Sequence, residues 1–444
     1  MNWKTIVKSM KNKDMQKRVF GVVGLLIIFR FLAHVPIPLA NAGNLKEVVE
    51  SAIKSTDLGG FINLLTGGAL TSFSIMLVGL SPFITASIIT QLMTKAIPSL
   101  EELNNDGESG RRKINQWTRI LTIPLAIIQS IAYIFILQTT VLQSNSAGFK
   151  GMSLSNWIVA VTAMVAGSVL LMWIGELITE RGISNGISML IFASIVAGIT
   201  QHMYGDFASS TSVFGVLVFM LVIVLVLVVL SIFILKSIKE IPIIYAKQEK
   251  AQQSSLLPIP LNPVGMVPII FAMAFVSFPY LLSKLITQFN PANQQLVGVA
   301  NWIETHFNIY SHNPGLWAIV VYVIFIVLFT FFYAMITFSP DRISDNIQKR
   351  GGFIPGIRPG KATAKYINSI LMHLCLWGGL GLALIGIYTY ILQWMPFVQS
   401  LVESIGSLPV VVTGSGVIII VGVVQEIVNK VQGDLVMQKY EMYE

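Results

Sequence analysis

Residues 59–95 read GGFINLLTGGALTSFSIMLVGLSPFITASIITQLMTK, an apolar stretch that is too long for one straight membrane span. A helix rises about 1.5 Å per residue, so this stretch would extend about 55 Å, whereas a bilayer core is about 30 Å thick. Gly67-Gly68 interrupts the stretch and Ser81-Pro82 punctuates its second half, and glycine and proline are common sites of helix breaks. The sequence therefore predicts a short helix over about 60–72 that does not span, followed by a true span.

A short helix at membrane depth needs a special environment. Its unsatisfied terminal backbone groups must be buried in protein or line a water-filled cavity. This requirement points to a functional element inside the protein. An interfacial or re-entrant helix with only a packing role explains the same residues equally well.

Composition places the whole chain in a membrane. Of its 444 residues, 54% are hydrophobic and 11% are charged, whereas soluble domains carry about 25% charged residues. A soluble fold of this size would lack the polar residues to cover its surface. The composition therefore excludes a soluble enzyme or a disordered chain, and it predicts an all-α polytopic membrane protein.

The apolar runs predict ten transmembrane helices. Long continuous runs, rather than ten-residue alternations, favour helices over a barrel. The clearest run is residues 213–235, which carry no charge, and the weakest is 184–203, which follows its predecessor after a very short turn. The ten predicted spans lie near residues 19–38, 74–96, 118–140, 156–179, 184–203, 213–236, 264–286, 315–338, 367–392 and 409–432. An even number of spans leaves both termini on one side.

The basic residues indicate which side that is. The net charge is +8, and 24 of the 29 Lys and Arg residues lie in the N-terminus, the tail and the loops on the same face. Loops on the other face hold four, and Arg30 lies within the first span. Because positive charge collects on the cytoplasmic side, both termini are expected in the cytoplasm. This distribution explains the basic balance without a nucleic-acid partner.

Two cytoplasmic loops are unusually large, at about 237–263 and 339–366. Large basic loops on one face suggest a docking surface for a partner, although positive loops are also expected from topology alone. We find no G-x-S-x-G, H-E-x-x-H or paired-cysteine motif, and the five His residues are scattered. The single cysteine, Cys375, lies in an apolar run and is expected to be a packed thiol. No catalytic residue, metal site or cofactor is therefore expected.

Five motifs, in order along the chain, resemble the SecY family of protein-conducting channels. They are IIFRFLAHVPIP (27–38), GGALTSFSIMLVGLSPFITASIITQL (67–92), GESGRRKINQWTR (107–119), LMWIGELITERGISNGISMLIFASIVAGI (171–199) and SPDRISDNIQKRGGFIPGIRPGKATAKYI (339–367). The resemblance implies a clamshell of two pseudo-symmetric halves, residues 19–205 with spans 1–5 and residues 206–432 with spans 6–10. A cytoplasmic N-terminus (1–18) and tail (433–444) flank these halves.

The resemblance also assigns roles to residues of the predicted pore. The helix at 60–72 matches the family's plug, whose residues here are Phe61, Asn63, Leu64, Leu65, Gly67, Gly68 and Leu70. A ring of aliphatic side chains that constricts the pore maps to Leu80, Ile84, Ile187, Ile191, Ile270 and Ile419. Taken singly, each of these residues fits ordinary packing. The lateral gate lies between the second and seventh spans, with Thr85, Gln91 and Asn185 as polar positions near it, or as ordinary interhelical hydrogen-bonding residues.

On the cytoplasmic face, the resemblance implies partner docking. Arg358 is the first candidate, and Arg111, Arg112 and Lys113 follow. The implied partners are the SecE and SecG subunits, the SecA ATPase, the ribosome, unfolded preproteins with their signal sequences, and membrane lipids, with no direct nucleic-acid function except through ribosome contact. Glu240 and Ile244 depart from the family's pattern in the loop at 237–263, which leaves an accessory paralogue open.

The function expected from these observations is a passive channel in the bacterial cytoplasmic membrane. Unfolded secretory chains would cross it, and apolar segments would leave sideways into lipid. A secondary transporter built on broken helices is the alternative from another class, and it predicts charges near the membrane midplane, of which the spans contain only Arg30. A structural membrane scaffold is the third possibility.

Overall fold

The fold is known from a computed structural model that describes residues 13–37, 69, 72–142, 154–207, 213–245, 255–289, 293–307, 315–393 and 414–441. In the first half of the chain the helices are α1 (Lys13–Leu32), α2 (Ser81–Ala96), α3 (Pro98–Asn105), α4 (Glu108–Leu142), α5 (Leu154–Glu180) and α6 (Gly186–Phe207). Prolines within the first turn help to start α2 and α3, because proline is tolerated where no intrahelical N–H bond is needed.

The second half combines helices with short strands. In chain order these are α7 (Val213–Lys236), β1 (Ile238–Tyr245), β2 (Ser255–Pro260), α8 (Val267–Phe289), α9 (Gln294–Phe307), α10 (Leu316–Thr337), α11 (Pro340–Lys349), β3 (Gly352–Phe353), α12 (Lys361–Gln393) and α13 (Gly414–Glu441). Each of the ten predicted spans overlaps one of these helices.

Six stretches of the described helices are long and apolar enough to cross a membrane. They are Glu108–Phe135, Leu154–Glu180, Val267–Thr287, Leu316–Lys349, Lys361–Leu392 and Gly414–Asp434. Shorter apolar stretches lie in α6 (Gly186–Gly198) and α7 (Leu221–Lys236). Multiple apolar helices of this kind indicate a multi-pass membrane protein.

The second predicted span is shorter than expected. Helix α2 begins at Ser81 rather than near residue 74, and residues 75–80 form turns. Its 16 residues would rise about 24 Å. The third predicted span is longer than expected, because α4 begins at Glu108 within a polar stretch that hydropathy alone does not assign to a helix.

A small antiparallel sheet departs from the predicted all-α fold. Strand β1 lies in the middle, with β2 on one side and β3 on the other. In the register, Ile241 pairs with Leu257 and Ile244 pairs with Phe353. The sheet therefore joins the two large loops, predicted separately at 237–263 and 339–366, into one folded unit.

Three hydrophobic clusters hold the described residues together. The largest lies among the helices of both halves and contains Ile191, Phe329 and Ile419. A second cluster joins α1, α5 and α6. The third lies under the sheet, where Ile241, Ile259 and Ile347 pack with residues of α12 that include Cys375, a fully buried thiol.

Candidate functional site

Residues 72–80, which we call the broken segment, lie within the apolar stretch 59–95 immediately before α2 and form turns rather than a helix. Non-helical backbone at membrane depth needs partners for its N–H and C=O groups. The residues after α1 supply several of them: Ile37 N donates to Phe73 O over 2.9 Å, and Ile75 N donates to Val35 O over 3.1 Å. Residues 35–37 and the broken segment therefore run side by side, with an isolated bridge between Pro36 and Ser74.

Three serine hydroxyls complete this network. Ser72 Oγ donates to Ala33 O over 2.9 Å, and Ser74 Oγ donates to Leu32 O over the same distance. From α5, Ser168 Oγ donates to Gly79 O over 2.7 Å. Two of these bonds satisfy carbonyls at the end of α1, and the third satisfies a carbonyl just before α2. The serines thus allow a helix break where lipid offers no hydrogen bonds.

The broken segment also lies unusually close to α5. A Cβ atom added at Gly167 would lie 2.0 Å from the Ile75 carbonyl oxygen, so only glycine fits there. The turns require left-handed backbone at Phe73 (φ 45°) and Gly79 (φ 63°). Glycine adopts that conformation without steric cost, whereas Phe73 is held in it by the surrounding contacts.

The six residues predicted to form the constriction come from four parts of the chain. Leu80 immediately precedes α2 and Ile84 lies in its first turn, Ile187 and Ile191 lie on α6, Ile270 lies on α8, and Ile419 lies on α13. Ile191 and Ile419 belong to the largest cluster, with 4% and 1% of their surface exposed, and the other four are partly buried residues that pack against it. The fold thus brings all six to one apolar core. A constriction made of such side chains excludes water and ions.

Thr85 and Gln91 both make hydrogen bonds within α2. Thr85 Oγ1 donates to Ser81 O over 3.0 Å, and Gln91 Nε2 donates to Ser87 Oγ over 2.9 Å. Helix α2 packs against α4 and also against α8, the helix of the predicted seventh span. In the part of the chain that the structure describes, the contact between α2 and α8 therefore does not depend on hydrogen bonds from Thr85 or Gln91.

Asn185 lies at the turn between α5 and α6, against α13. Its Oδ1 accepts a hydrogen bond from Ile187 N over 3.0 Å and so caps α6. Its backbone N donates to Glu426 Oε1 over 2.9 Å. Asn185 thus joins α6 of the first half to α13 of the second. The contact of Glu426 with Asn185 was not predicted from the sequence. The close approach at Gly167 and the hydrogen bond of Ser168 were not predicted either, although two adjacent small residues inside an apolar span were the available signal for them.

The folded unit that the sheet makes from the two large loops presents Arg358 on a turn. Gly356 and Gly360 flank it with φ values of 79° and 94°, and its side chain is exposed. The Arg358 carbonyl accepts a hydrogen bond from Thr363 Oγ1 over 2.9 Å, and Ser344 Oγ donates to Gly360 O over 2.8 Å. These bonds tie the turn to α11 and α12, so the guanidinium projects from a fixed base.

The second basic group lies at the start of α4. Arg111, Arg112 and Lys113 are all exposed, and Arg112 pairs with Glu108 over 2.7 Å, four residues earlier on the same helix. Such an exposed pair contributes little stability. On the sheet, Glu240 and Ile244 are exposed and alternate with the buried Ile241 and Ile243.

The predicted plug lies almost wholly outside the described residues. This holds for Phe61, Asn63, Leu64, Leu65, Gly67, Gly68 and Leu70. Within 60–72 the structure describes Ala69, which is fully buried, and Ser72. Ala69 O accepts a hydrogen bond from Ser74 N over 2.9 Å, so the plug region joins the broken segment through a described contact.

Comparison with known proteins identifies the family. The SecY family model matches residues 74–428, from the broken segment to α13. The chain belongs to the SecY family. The protein translocase subunit SecY of Streptomyces coelicolor is 34% identical and covers 98% of both chains, and that of Bacillus licheniformis is 35% identical and covers 99% of this chain and 98% of its own.

Solved structures of SecY-family channels share the fold. A SecY structure, described as having a plug domain that stabilises the closed translocation channel, gives a TM-score of 0.59 at 16% identity and covers 93% of this chain and 90% of that one. Sec61 from a canine ribosome–channel complex gives a TM-score of 0.52 at 16% identity, with 93% and 90% coverage. At these identities the likeness concerns the fold.

Proposed function

We propose that this chain is the central, pore-forming subunit of a preprotein translocase in a bacterial cytoplasmic membrane. The observation that carries the proposal is its match, over nearly its whole length, to relatives that are protein translocase subunits. Unfolded secretory chains cross the pore, and apolar segments leave it laterally into lipid. The aliphatic ring suits this task because it seals around any sequence without selecting one.

The proposed architecture is a clamshell of ten transmembrane helices with both termini in the cytoplasm. Residues 19–205 form one half and residues 206–432 form the other. The ten helices that coincide with the predicted spans support this count, as does the one-sided distribution of basic residues. The plug is residues 60–72, and the lateral gate lies between α2 and α8.

The proposed channel is passive, and its partners supply the energy. SecA or the ribosome docks on the cytoplasmic face, with Arg358 as the main contact and Arg111, Arg112 and Lys113 beside it, and SecE and SecG complete the membrane complex. Exposure of these four side chains supports the assignment. Ribosome docking is further supported by the likeness to Sec61 in the canine ribosome–channel complex.

Crosslinking to a stalled preprotein tests the pore directly. Cys375 is first replaced by Ser, and single cysteines are then placed at Ile191, at Ile270 or, as a lipid-facing control, at Ile324, which is 53% exposed on α10. A preprotein with one cysteine in its translocating region should crosslink to residues 191 and 270 and not to 324. Absence of crosslinks at both pore positions, with intact translocation, would show that the chain does not pass the ring.

Conductance of a variant lacking residues 60–72 distinguishes the channel from the alternatives. In planar bilayers this deletion should raise ion leakage, because the ring alone would remain to close the pore. A scaffold would show no conductance with or without these residues. A small-solute transporter would show solute-dependent transport by the chain alone.

A further inference from the structure

Helix α9 connects the predicted seventh and eighth spans and has three distinct faces. At about 100° per residue, one face contains Val297, Ala300 and Glu304, and Ala300 is fully buried. A second face is polar and contains Asn301 and Thr305, both exposed. The third face is mainly apolar: it contains Leu296, Val299, Trp302 and Ile303, together with His306 and, in the first turn, the exposed Gln295.

This third face, which we call the apolar face of α9, covers an arc of about 120°. It is open in the described structure: Leu296 is 38% exposed, Val299 is 53% exposed and Trp302 is 55% exposed. Val299 and Trp302 thus expose apolar side chains on one face of the helix, and contact of apolar surface with water is unfavourable. The face therefore requires an occupant.

The surface that continues from this face identifies the occupant. The Trp302 ring stacks on His306 with ring centroids 4.5 Å apart, and His306 meets Trp317 edge-on at 6.3 Å. Trp317 is 58% exposed at the start of α10 and begins a row of exposed apolar residues that continues through Val320, Ile324 and Leu328. Because α10 lies in a stretch apolar enough to span a membrane, this row faces the acyl chains of lipid.

The orientation of α9 is fixed by an ion pair. Lys284 Nζ of α8 lies 2.6 Å from Glu304 Oε1 of α9, and the same ammonium group lies 5.4 Å from the centroid of the Tyr280 ring. Both charged side chains are about one-third exposed. The pair holds the buried face against α8 and so directs the apolar face towards the side on which Trp317 begins its row.

We propose that α9 lies in the membrane–water interface, with its apolar face among the lipid headgroups and upper acyl chains and its polar face in water. Trp302 and Trp317 form an aromatic belt there, as expected for amphipathic rings at headgroup depth. Helix α9 contains no Lys or Arg, so its contact with lipid depends on apolar area rather than on anionic headgroups. The proposal requires only that the chain is in a bilayer.

Site-directed spin labelling tests this placement in the full chain. In a Cys375→Ser background, Val299→Cys and the matched control Asn301→Cys carry a nitroxide about 160° apart on the same helix. Ile324→Cys serves as the reference for lipid. The protein is reconstituted in vesicles of phosphatidylethanolamine and phosphatidylglycerol, and collisions with oxygen, which concentrates in lipid, are compared with those of a water-soluble nickel chelate.

The oxygen-to-nickel accessibility ratio should be at least threefold higher at position 299 than at 301, and it should approach the ratio at 324. Vesicles without phosphatidylglycerol should give the same ratio. Equal, high nickel accessibility at 299 and 301 would place α9 in water and overturn the proposal. Low accessibility to both reagents at 299 would mean that protein covers this face, which would overturn it as well. A ratio that falls when phosphatidylglycerol is removed would contradict the apolar basis of the contact.

Discussion

Replacing Gly167 with Ala should destabilise the protein, because it forces α5 away from the broken segment. The added Cβ would lie 2.0 Å from Ile75 O and 2.7 Å from Ile75 C, whereas a carbon and a carbonyl oxygen normally approach to about 3.3 Å. A shift of more than about 1 Å is thus needed, and the obstacle is backbone, which cannot rotate aside. That shift would stretch the 2.7 Å bond from Ser168 to Gly79 beyond hydrogen-bonding distance.

The expected cost can be worked from these contacts. Overpacking costs about 1–3 kcal/mol, and a lost polar contact inside a membrane costs about 0.6 kcal/mol more. The higher helix propensity of Ala relative to Gly offsets at most about 1 kcal/mol of this destabilisation. The free energy of unfolding should therefore fall by about 1–3 kcal/mol.

Unfolding in mixed micelles by titration with a denaturing detergent, followed by tryptophan fluorescence, measures this change. Gly24→Ala on α1 is the matched control, since a Cβ at Gly24 meets nothing within 4 Å, and it should be neutral or slightly stabilising. If Gly167→Ala unfolds within about 0.5 kcal/mol of the Gly24→Ala control, the close approach of α5 to the broken segment is wrong.

Three further predictions concern single side chains. Ser168→Ala should lower the free energy of unfolding by about 0.6–1.7 kcal/mol, because Gly79 O loses its hydrogen-bond donor. The same detergent titration measures this free energy, and no change would mean that another group donates to this carbonyl. Arg358→Glu should weaken binding of the proposed partners, SecA or the ribosome, about tenfold, while a change to Glu at Lys349, which is also exposed in the folded unit around the sheet, should have a smaller effect. Equal effects of the two changes would indicate only general electrostatics. Cys375 should resist a maleimide in native protein and react after denaturation, and rapid native labelling would contradict its burial.

The helical part of the fold follows from the sequence because apolar runs of about 20 residues have few alternatives in lipid. Hydropathy identified the region of α4 but missed its start at Glu108, since the polar first turns carry no apolar signal. It also missed the sheet. Strand β1 contains Pro242, which argues against a strand, and its partner β3 begins more than 100 residues later at Gly352. Pairing across such a separation is not encoded locally.

The candidate site was also only partly predictable from the sequence. The length of the second region predicted a helix break, but the structure describes non-helical backbone at residues 72–80, mostly inside the predicted span, and Gly67-Gly68 lie outside the described residues. The hydrogen-bond partners of this backbone were not predictable, because Ser168 comes from a helix about 90 residues away. The aliphatic ring could not be found from residue type, since Ile191 and Ile419 resemble any other packed isoleucine. Their proposed role depends on the family resemblance, and the structure adds that both belong to one cluster.

The hydrogen bonds of the broken segment are independent of the contact between α2 and α8 at the proposed gate. The segment is bonded to residues 32–37 at the end of α1 and to Ser168 of α5, all within the first half of the chain. Helix α2, by contrast, contacts α8 of the second half, and its hydroxyls at Thr90 and Thr94 are bonded to carbonyls of their own helix. Parting α2 from α8 would leave both sets of bonds intact. Gln91 of α2 also makes a side-chain hydrogen bond with Tyr333 of α10. The cost of opening such a gate would then include this polar contact as well as exposed apolar surface, and lipid or an apolar signal sequence can cover that surface again.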